Sequence, residues 1–334
     1  MTINSVNGLI EKEDLGTTLV HEHLFLDQSN FNAIEANGEE ITLENLWKIK
    51  RDPYLSPSNC VLDDVAEAIN EVNYFKNEGG NTIVEVTNCG MGRDVDKLKH
   101  LSSATGLNVI TSTGFYVETS HPPHINDASI EELSEFMLKE LEEGIEQTNI
   151  KAGIIGEIGT STTVTKNEEK VLRAAARCHK KGNYPISIHL SNMKGREGLN
   201  VIKILDSEGA NLNKVVLCHM DLALDDYDYQ IDLAKTGVFI EYDSFGMEFT
   251  IDSRGFAFYR DVDKIVFLKK LIDDGFVDKL LVSQDICFKI CLKKYGGQGY
   301  DHLLRNIFPL YDQYKSIDLK EKLLIQNPNH WLFD

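Results

Sequence analysis

Short apolar runs rich in β-branched residues alternate with longer amphipathic runs along the chain. The first pair is the strand-like TTLVHEHL at residues 17–24 and the helical DDVAEAINEVNYFKNEGG at residues 63–80. Apolar strands separated by helices are typical of a parallel sheet that is buried on both faces. The pattern predicts a (β/α)8 TIM barrel, with strands at TTLVHEHL, NTIVEVTN, LNVITSTG, KAGIIGEIG, YPISIHL, KVVLCHM, GVFIEYD and KLLVSQD.

The alternative architecture is a doubly wound open sheet, but no GxGxxG fingerprint follows the first strand-like run. Asn7-Gly8, ahead of that run, favours a small hairpin at the base of the barrel. Residues 28–57 carry few periodic signals and are interpreted as a long first βα loop, on the face where barrel active sites lie. No linker rich in Pro, Gly or Ser divides the chain, so residues 1–334 are predicted to form one domain.

Composition limits the partners and the compartment. Hydrophobic residues make up 42% and charged residues 26% of the 334 residues, which is ordinary for a soluble globular protein. A formal net charge of -19 argues against a nucleic acid or an anionic membrane as partner, whereas a small anionic substrate stays open. The chain shows no signal peptide, no apolar run of membrane-spanning length and no CxxC pair, so we expect a cytoplasmic protein with reduced thiols. The oligomeric state is open, and a homodimer is one arrangement.

Polar side chains fall near the ends of several strand-like runs. His21 and His23 stand two apart in the first run, and residues i and i+2 of a strand point to the same side. Barrel active sites collect at the C-terminal ends of the strands, so we expect one cluster of His21, His23, Glu157, His189, His219 and Asp285. Each residue alone also fits a structural role, such as a hydrogen-bonded core histidine or a helix cap. Together they offer more ligands than one tetrahedral ion uses. The set predicts two divalent metal ions, zinc first, with manganese and cobalt as alternatives.

The motifs that carry these residues resemble the phosphotriesterase-like branch of the amidohydrolase superfamily, and most closely its phosphotriesterase homology protein subgroup. They are HEHL, NCGMGRD, TGFY, AGIIGEIGTS, ISIHLS, VLCHMD, QDICFK, YGGQGYDHLL and NPNHWLF. The resemblance implies that one ion takes His21, His23 and Asp285, and that the other takes His189 and His219. It also implies a bridging hydroxide and a bridging carboxylate. Many members use a carboxylated lysine as that bridge, whereas the matching residue here is Glu157.

The predicted reaction is hydrolysis of an ester bond by the bridging hydroxide, with a lactone or a phosphorylated sugar lactone as the first substrate class. Asp285 is expected to accept the proton of the attacking hydroxide. Tyr116, Lys289, Arg254 and Arg260 are predicted substrate contacts, the three basic residues as ligands of an anionic group. Two alternatives stay open: an organophosphate or phosphoester hydrolase of the same fold, and a metal-binding barrel without catalysis.

Overall fold

An eight-stranded parallel sheet forms the centre of the protein, whose computed structural model describes residues 1–32, 40–191, 195–311 and 318–334. Its strands, numbered in chain order, are β1 (Thr18–Glu22), β2 (Thr82–Glu85), β3 (Asn108–Thr113), β4 (Ile154–Thr160), β5 (Ile186–Leu190), β6 (Val215–Leu217), β7 (Phe239–Tyr242) and β8 (Leu280–Val282). Each strand pairs in parallel with the next along the chain. Just after β8, the amide of Asp285 donates to the carbonyl oxygen of His21 at 3.2 Å, so the barrel is nearly closed. The predicted TIM barrel is confirmed.

Helices cover the outside of the barrel between successive strands. They are α1 (Val65–Asn77), α2 (Val95–Thr105), α3 (Ile130–Glu142), α4 (Lys166–Gly182), α5 (Glu197–Ser207), α6 (Tyr227–Ala234) and α7 (Asp261–Asp273). After β8 the chain continues through helical segments at Leu303–Ile307, Phe308–Tyr311, Leu319–Glu321, Lys322–Gln326 and Asn327–Phe333. None of the helices in the described ranges is long and apolar enough to cross a membrane.

A hairpin closes the amino-terminal end of the barrel. Thr2–Ser5 pairs antiparallel with Gly8–Glu11, so Gly8 begins the second strand and does not lie within the turn. The amide of Val6 donates to the carbonyl oxygen of Val109 at 2.9 Å, close to the start of β3. Apolar residues of the hairpin pack in one cluster with residues of the barrel strands and of the last helix, Trp331 among them. The predicted hairpin therefore seals the end of the barrel opposite the expected site.

The first βα loop is longer than the predicted 28–57, because it runs from the end of β1 to α1. Leu26–Asp27 pairs antiparallel with Val61–Leu62 across its base. Leu46–Ile49 forms a single helical turn within it. Residues 33–39 of this loop lie outside the described part of the chain. A second small hairpin, in which Thr250–Ile251 pairs with Phe256–Ala257, follows β7.

A buried ion pair joins the loop after β2 to α3. The Arg93 guanidinium and the Glu140 carboxylate meet through two hydrogen bonds of 2.7 and 2.8 Å, and their side chains are 3% and 4% exposed. Thr113 donates to the same carboxylate at 2.7 Å, and Arg93 donates to the carbonyl oxygen of Ser112 at 2.9 Å. The pair therefore fixes the end of β3 against both neighbouring segments.

Arg93→Met leaves the Glu140 carboxylate buried without its cation, so we expect a loss of roughly 3–5 kcal/mol in the free energy of unfolding, measured by urea titration. Arg93→Met combined with Glu140→Leu removes both charges and should recover part of that loss. A single variant as stable as the parent would contradict the structural role of the pair.

Candidate metal centre

The ends of four barrel strands and the middle of β4 bring the predicted ligands together at the carboxyl end of the barrel. The residues in contact are His21, His23, Glu157, His189, His219 and Asp285. His23 lies one residue beyond β1, yet its ring and that of His21 face the same space, with centroids 5.7 Å apart. Glu157 is not at the end of its strand as predicted. It lies mid-strand, where the register of β4 against β5 shifts, and this irregularity leaves no mark in the apolar pattern.

Glu157 lies in the middle of the cluster. Its Oε2 atom is 3.3 Å from His189 Nδ1, 3.6 Å from His219 Nε2 and 3.7 Å from His21 Nε2. Its Oε1 atom is 3.6 Å from His23 Nε2. One carboxylate thus faces the histidines that were assigned to both ions. These distances fit a carboxylate that bridges two sites.

Asp285, which follows β8, lies next to the two histidines at the end of β1. Its Oδ1 atom lies 3.3 Å from His23 Nε2 and 3.7 Å from His21 Nε2. On the other side, His189 Nδ1 and His219 Nε2 are 2.7 Å apart. Asp285 and His219 have φ angles of 47° and 59°, in the left-handed region that non-glycine residues rarely occupy. Such conformations cluster at functional sites, where the surrounding structure holds them in place.

The buried polar atoms of the cluster show what the site requires. Both ring nitrogens of His21 and Oε2 of Glu157 have no hydrogen-bond partner among the described residues, although the two residues are 0% and 3% exposed. An unsatisfied buried polar group costs about 1–3 kcal/mol. A divalent cation bound between these atoms would remove that cost. The residues present therefore fit a metal centre.

The charges within the cluster favour the same conclusion. Burial alone would raise the pKa of Glu157, but His21, His189 and His219 hold it well below its usual range. Burial alone would lower the pKa of His21, but Glu157 together with Glu241 and Asp243 raises it to about 10. The surrounding carboxylates therefore attract positive charge to the centre of the cluster.

Asp243, directly after β7, is a site residue that the sequence analysis missed. Its Oδ1 atom lies 2.8 Å from His219 Nδ1, and its Oδ2 atom accepts the amide hydrogen of His219 at 2.8 Å. A metal-binding histidine usually donates its other ring N–H to such a group, which fixes its orientation. Glu241 lies 3.5 Å from His21 Nδ1 in a comparable position. The signal was present, because Asp243 ends the strand-like run GVFIEYD as Asp285 ends KLLVSQD.

A cavity of about 280 Å³ opens above the cluster. Tyr116 lines it, with its hydroxyl oxygen 3.2 Å from His189 Nδ1. Burial raises the pKa of Tyr116 well above 10, so the hydroxyl remains a hydrogen-bond donor at neutral pH. Leucine, methionine, isoleucine and aromatic side chains form much of the remaining wall, namely Leu26, Phe31, Tyr54, Met91, Leu222, Met247, Ile251, Phe256, Phe258 and Phe288.

The structure separates the three basic residues that were predicted to bind an anion. Arg254 lines the cavity, whereas Lys289 and Arg260 do not. Arg260 instead pairs with Asp263 in the first turn of α7, at 3.0 Å. Lys289 begins a helical turn, and the residue before it, Phe288, contributes to the wall. Arg254 is therefore the predicted basic contact that the fold brings to the site.

Residues 1–332 match the sequence model of the phosphotriesterase family. The chain belongs to the phosphotriesterase family. The resemblance inferred from the motifs is thereby confirmed, and this is a family of metal-dependent hydrolases. Among its relatives, the N-acetyltaurine hydrolase of Xenopus tropicalis is 37% identical over 343 residues, which cover 99% of this chain and 97% of the relative.

Solved structures of the phosphotriesterase fold superpose over nearly the whole chain. A resiniferatoxin-binding protein from Rhodobacter sphaeroides has a TM-score of 0.96 at 34% identity, covering 99% of this chain and 94% of that one. The phosphotriesterase homology protein from Escherichia coli, complexed with phosphate in its active site, has a TM-score of 0.81 at 33% identity, covering 96% and 99%. A lactonase from Listeria monocytogenes has a TM-score of 0.81 at 28% identity, covering 99% of each chain.

Asp243→Asn should weaken metal binding by roughly 10- to 100-fold, because a neutral amide orients and polarises the His219 ring less well than a carboxylate. The measurement is a competition titration of the metal-free protein against a chelator of known affinity. Asp263→Asn, the same change in an exposed ion pair outside the cavity, is the matched control. Equal affinities for the parent and Asp243→Asn would show that this contact does not support the metal ligands.

Proposed function

We propose that this protein is a hydrolase that holds two divalent metal ions, zinc first with manganese and cobalt as alternatives, and cleaves a carboxylic amide or ester bond of a small molecule. The observation that carries the proposal is the position of Glu157, a buried carboxylate that faces four histidines and has one oxygen without a hydrogen-bond partner among the described residues. When bound, such ions supply a water of lowered pKa and polarise the scissile carbonyl group.

The chain's own residues supply the remaining steps. Asp285 accepts the proton of the attacking water and delivers it to the leaving group. Its side chain lines the cavity and is 15% exposed, so a substrate in the cavity can contact it. Tyr116 donates its phenolic hydrogen to a substrate oxygen. The thiol of Cys287, 4.0 Å from Asp285 Oδ2, stays protonated because burial raises its pKa well above the usual value. Cys287 is therefore a weak donor to Asp285 and not a competing nucleophile.

Two groups of known proteins suggest the substrate. The 37% identical relative named N-acetyltaurine hydrolase favours an N-acyl amide that carries an acidic group. The 28% identical lactonase favours a lactone, which is the class expected from the sequence. Both classes present a carbonyl carbon to an attacking water, so one site can serve either. We place acidic N-acyl amides first and lactones second.

A substrate panel tests the proposal. N-Acetyltaurine, an unsubstituted γ-lactone, a phosphorylated furanose lactone and a phosphotriester are each incubated with protein loaded with Zn²⁺, Mn²⁺ or Co²⁺. Release of acetate and taurine, or opening of a lactone, is the expected result. Turnover of the phosphotriester alone would replace the carbonyl substrate with a phosphoester. No turnover with both ions bound would instead favour a metal-binding barrel without catalysis.

Elemental analysis of the purified protein should find about two divalent ions per chain, because the ligands exceed the needs of one tetrahedral ion.

Glu157→Gln should lose the ion from at least one site, since a neutral amide is a poorer bridge between two cations. Glu143→Gln, an identical change at an exposed position after α3, is the control. Unchanged metal content in Glu157→Gln would mean that Glu157 is not a ligand.

Asp285→Asn should lower kcat by roughly 10²- to 10⁴-fold, because an asparagine amide cannot accept the proton of the attacking water. Its carbonyl oxygen can still bind metal, so the metal content should fall far less than in His219→Ala. Steady-state kinetics and elemental analysis of the same preparations separate the two effects. Turnover close to that of the parent would rule out Asp285 as the proton acceptor.

A further inference from the structure

Arg254 is the only lysine or arginine among the described residues that line the cavity. The two other arginines close to it in sequence or space have acidic partners: Arg51 contacts Asp252 at 2.8 Å and Arg260 contacts Asp263 at 3.0 Å. Arg254 forms no ion pair within the described ranges of the chain, and its side chain is exposed at the mouth of the cavity. Its charge is therefore available to a ligand.

An aromatic ring holds the guanidinium in place without using its hydrogen-bond donors. The central carbon of the Arg254 guanidinium lies 4.2 Å from the centroid of the Tyr54 ring. Tyr54 is buried and packs edge-on against Phe288, with centroids 5.3 Å apart. Such a cation–π contact is an electrostatic attraction between the cation and the ring. No hydrogen bond joins the Arg254 guanidinium to another residue in the described ranges, so its N–H groups remain free to bind an oxyanion.

The backbone around both residues of this contact is tied to one carboxylate. Asp52, which is 2% exposed, accepts the amide hydrogen of Ser253 at 2.7 Å and that of Tyr54 at 3.1 Å. Gly255, with φ of 60°, then turns the chain back along the hairpin that carries Arg254. The guanidinium and the ring that supports it are thus positioned before any ligand arrives, which lowers the entropy lost on binding.

We propose that Arg254 determines substrate specificity by binding an anionic group of the substrate, a carboxylate, sulfonate or phosphate, while the scissile carbonyl group faces Asp285 and Glu157. A planar guanidinium can bind two oxygens of such a group at once. The net charge of -19 repels anions at long range, and Arg254 offers an anionic substrate a local positive charge away from the proposed metal cluster. This inference rests on the hydrolase proposed above and specifies its substrate as a molecule with a carbonyl group and an oxyanion at opposite ends.

Two amides that share the N-acetylaminoethyl group, one anionic and one neutral, test the inference. N-Acetyltaurine carries a sulfonate where N-acetylethanolamine carries a hydroxyl group. Arg254→Met should lower kcat/KM for N-acetyltaurine by roughly 10- to 100-fold, the effect of losing hydrogen bonds to a charged group. The loss should appear mainly as a higher KM. Activity toward N-acetylethanolamine should stay within about threefold of the parent, in the range of an exposed substitution that loses no contact to the ligand.

Two further variants sharpen the result. Arg254→Lys keeps the charge without the planar pair of donors, so its kcat/KM for N-acetyltaurine should lie between those of the parent and Arg254→Met. Arg260→Met removes a nearby arginine that already has a partner, and it should match the parent on both amides. An equal loss on both amides in Arg254→Met would reduce Arg254 to a structural support of the cavity wall. An unchanged selectivity would place the anion elsewhere.

A binding measurement keeps this inference separate from the proposed hydrolysis. Calorimetric titration of N-acetyltaurine into metal-loaded Asp285→Asn, with and without Arg254→Met, needs no turnover. Binding at least 10-fold weaker without Arg254 supports the anion contact even if the parent hydrolyses nothing in the panel. Equal affinities would overturn the contact even if the parent is an active hydrolase. Thermal unfolding of each variant confirms that it is folded.

Discussion

The rest of this structure depends on one constraint, a carboxylate buried among imidazoles. Glu157 is 3% exposed and lies within 3.7 Å of nitrogens from four histidines. Burying charged and polar groups is unfavourable unless each has a partner. Both ring nitrogens of His21 and Oε2 of Glu157 have no hydrogen-bond partner in the part of the chain that the structure describes. A divalent cation held between these carboxylates and histidines, as proposed, would give each of these atoms a partner. The cost of the unpartnered atoms in the metal-free protein would then favour metal binding.

The clustering of the predicted ligands could be foreseen from sequence because their positions follow from the fold. A barrel places the ends of its strands on one rim, so a polar residue that ends an apolar run becomes a candidate without knowledge of its neighbours. The same reasoning applies to Asp243, which also follows an apolar run. It was not predicted because it orients the predicted ligand His219 and was not part of the expected ligand set. The mid-strand position of Glu157, in contrast, could not be predicted from the end of an apolar run. It depends on a shift in register between β4 and β5, and the alternation of apolar and polar residues carries no trace of it.

The substrate side of the site was less predictable, because loops there are positioned by distant contacts. Three basic residues near the last two strands were equivalent candidates in the sequence. Which of them reaches the cavity depends on Asp52, which holds the amide of Ser253 across 201 positions of sequence, and on the ring of Tyr54. Arg260 is held away by Asp263, three residues along the chain. The position of Arg254 does not follow from local pattern, whereas the (i, i+3) pair of Arg260 and Asp263 is a local contact.

In the proposed function, the six clustered residues and Arg254 have different roles within one cavity. The Arg254 guanidinium at the mouth of the cavity would supply affinity for the anionic group. It binds a part of the substrate that does not react, and such binding energy can be used to hold the scissile carbonyl group in place over the cluster. An anionic compound too short to reach both Arg254 and the cluster would gain the contact without the alignment. Under this proposal, the length of a small anion, together with its charge, would determine whether it is a substrate.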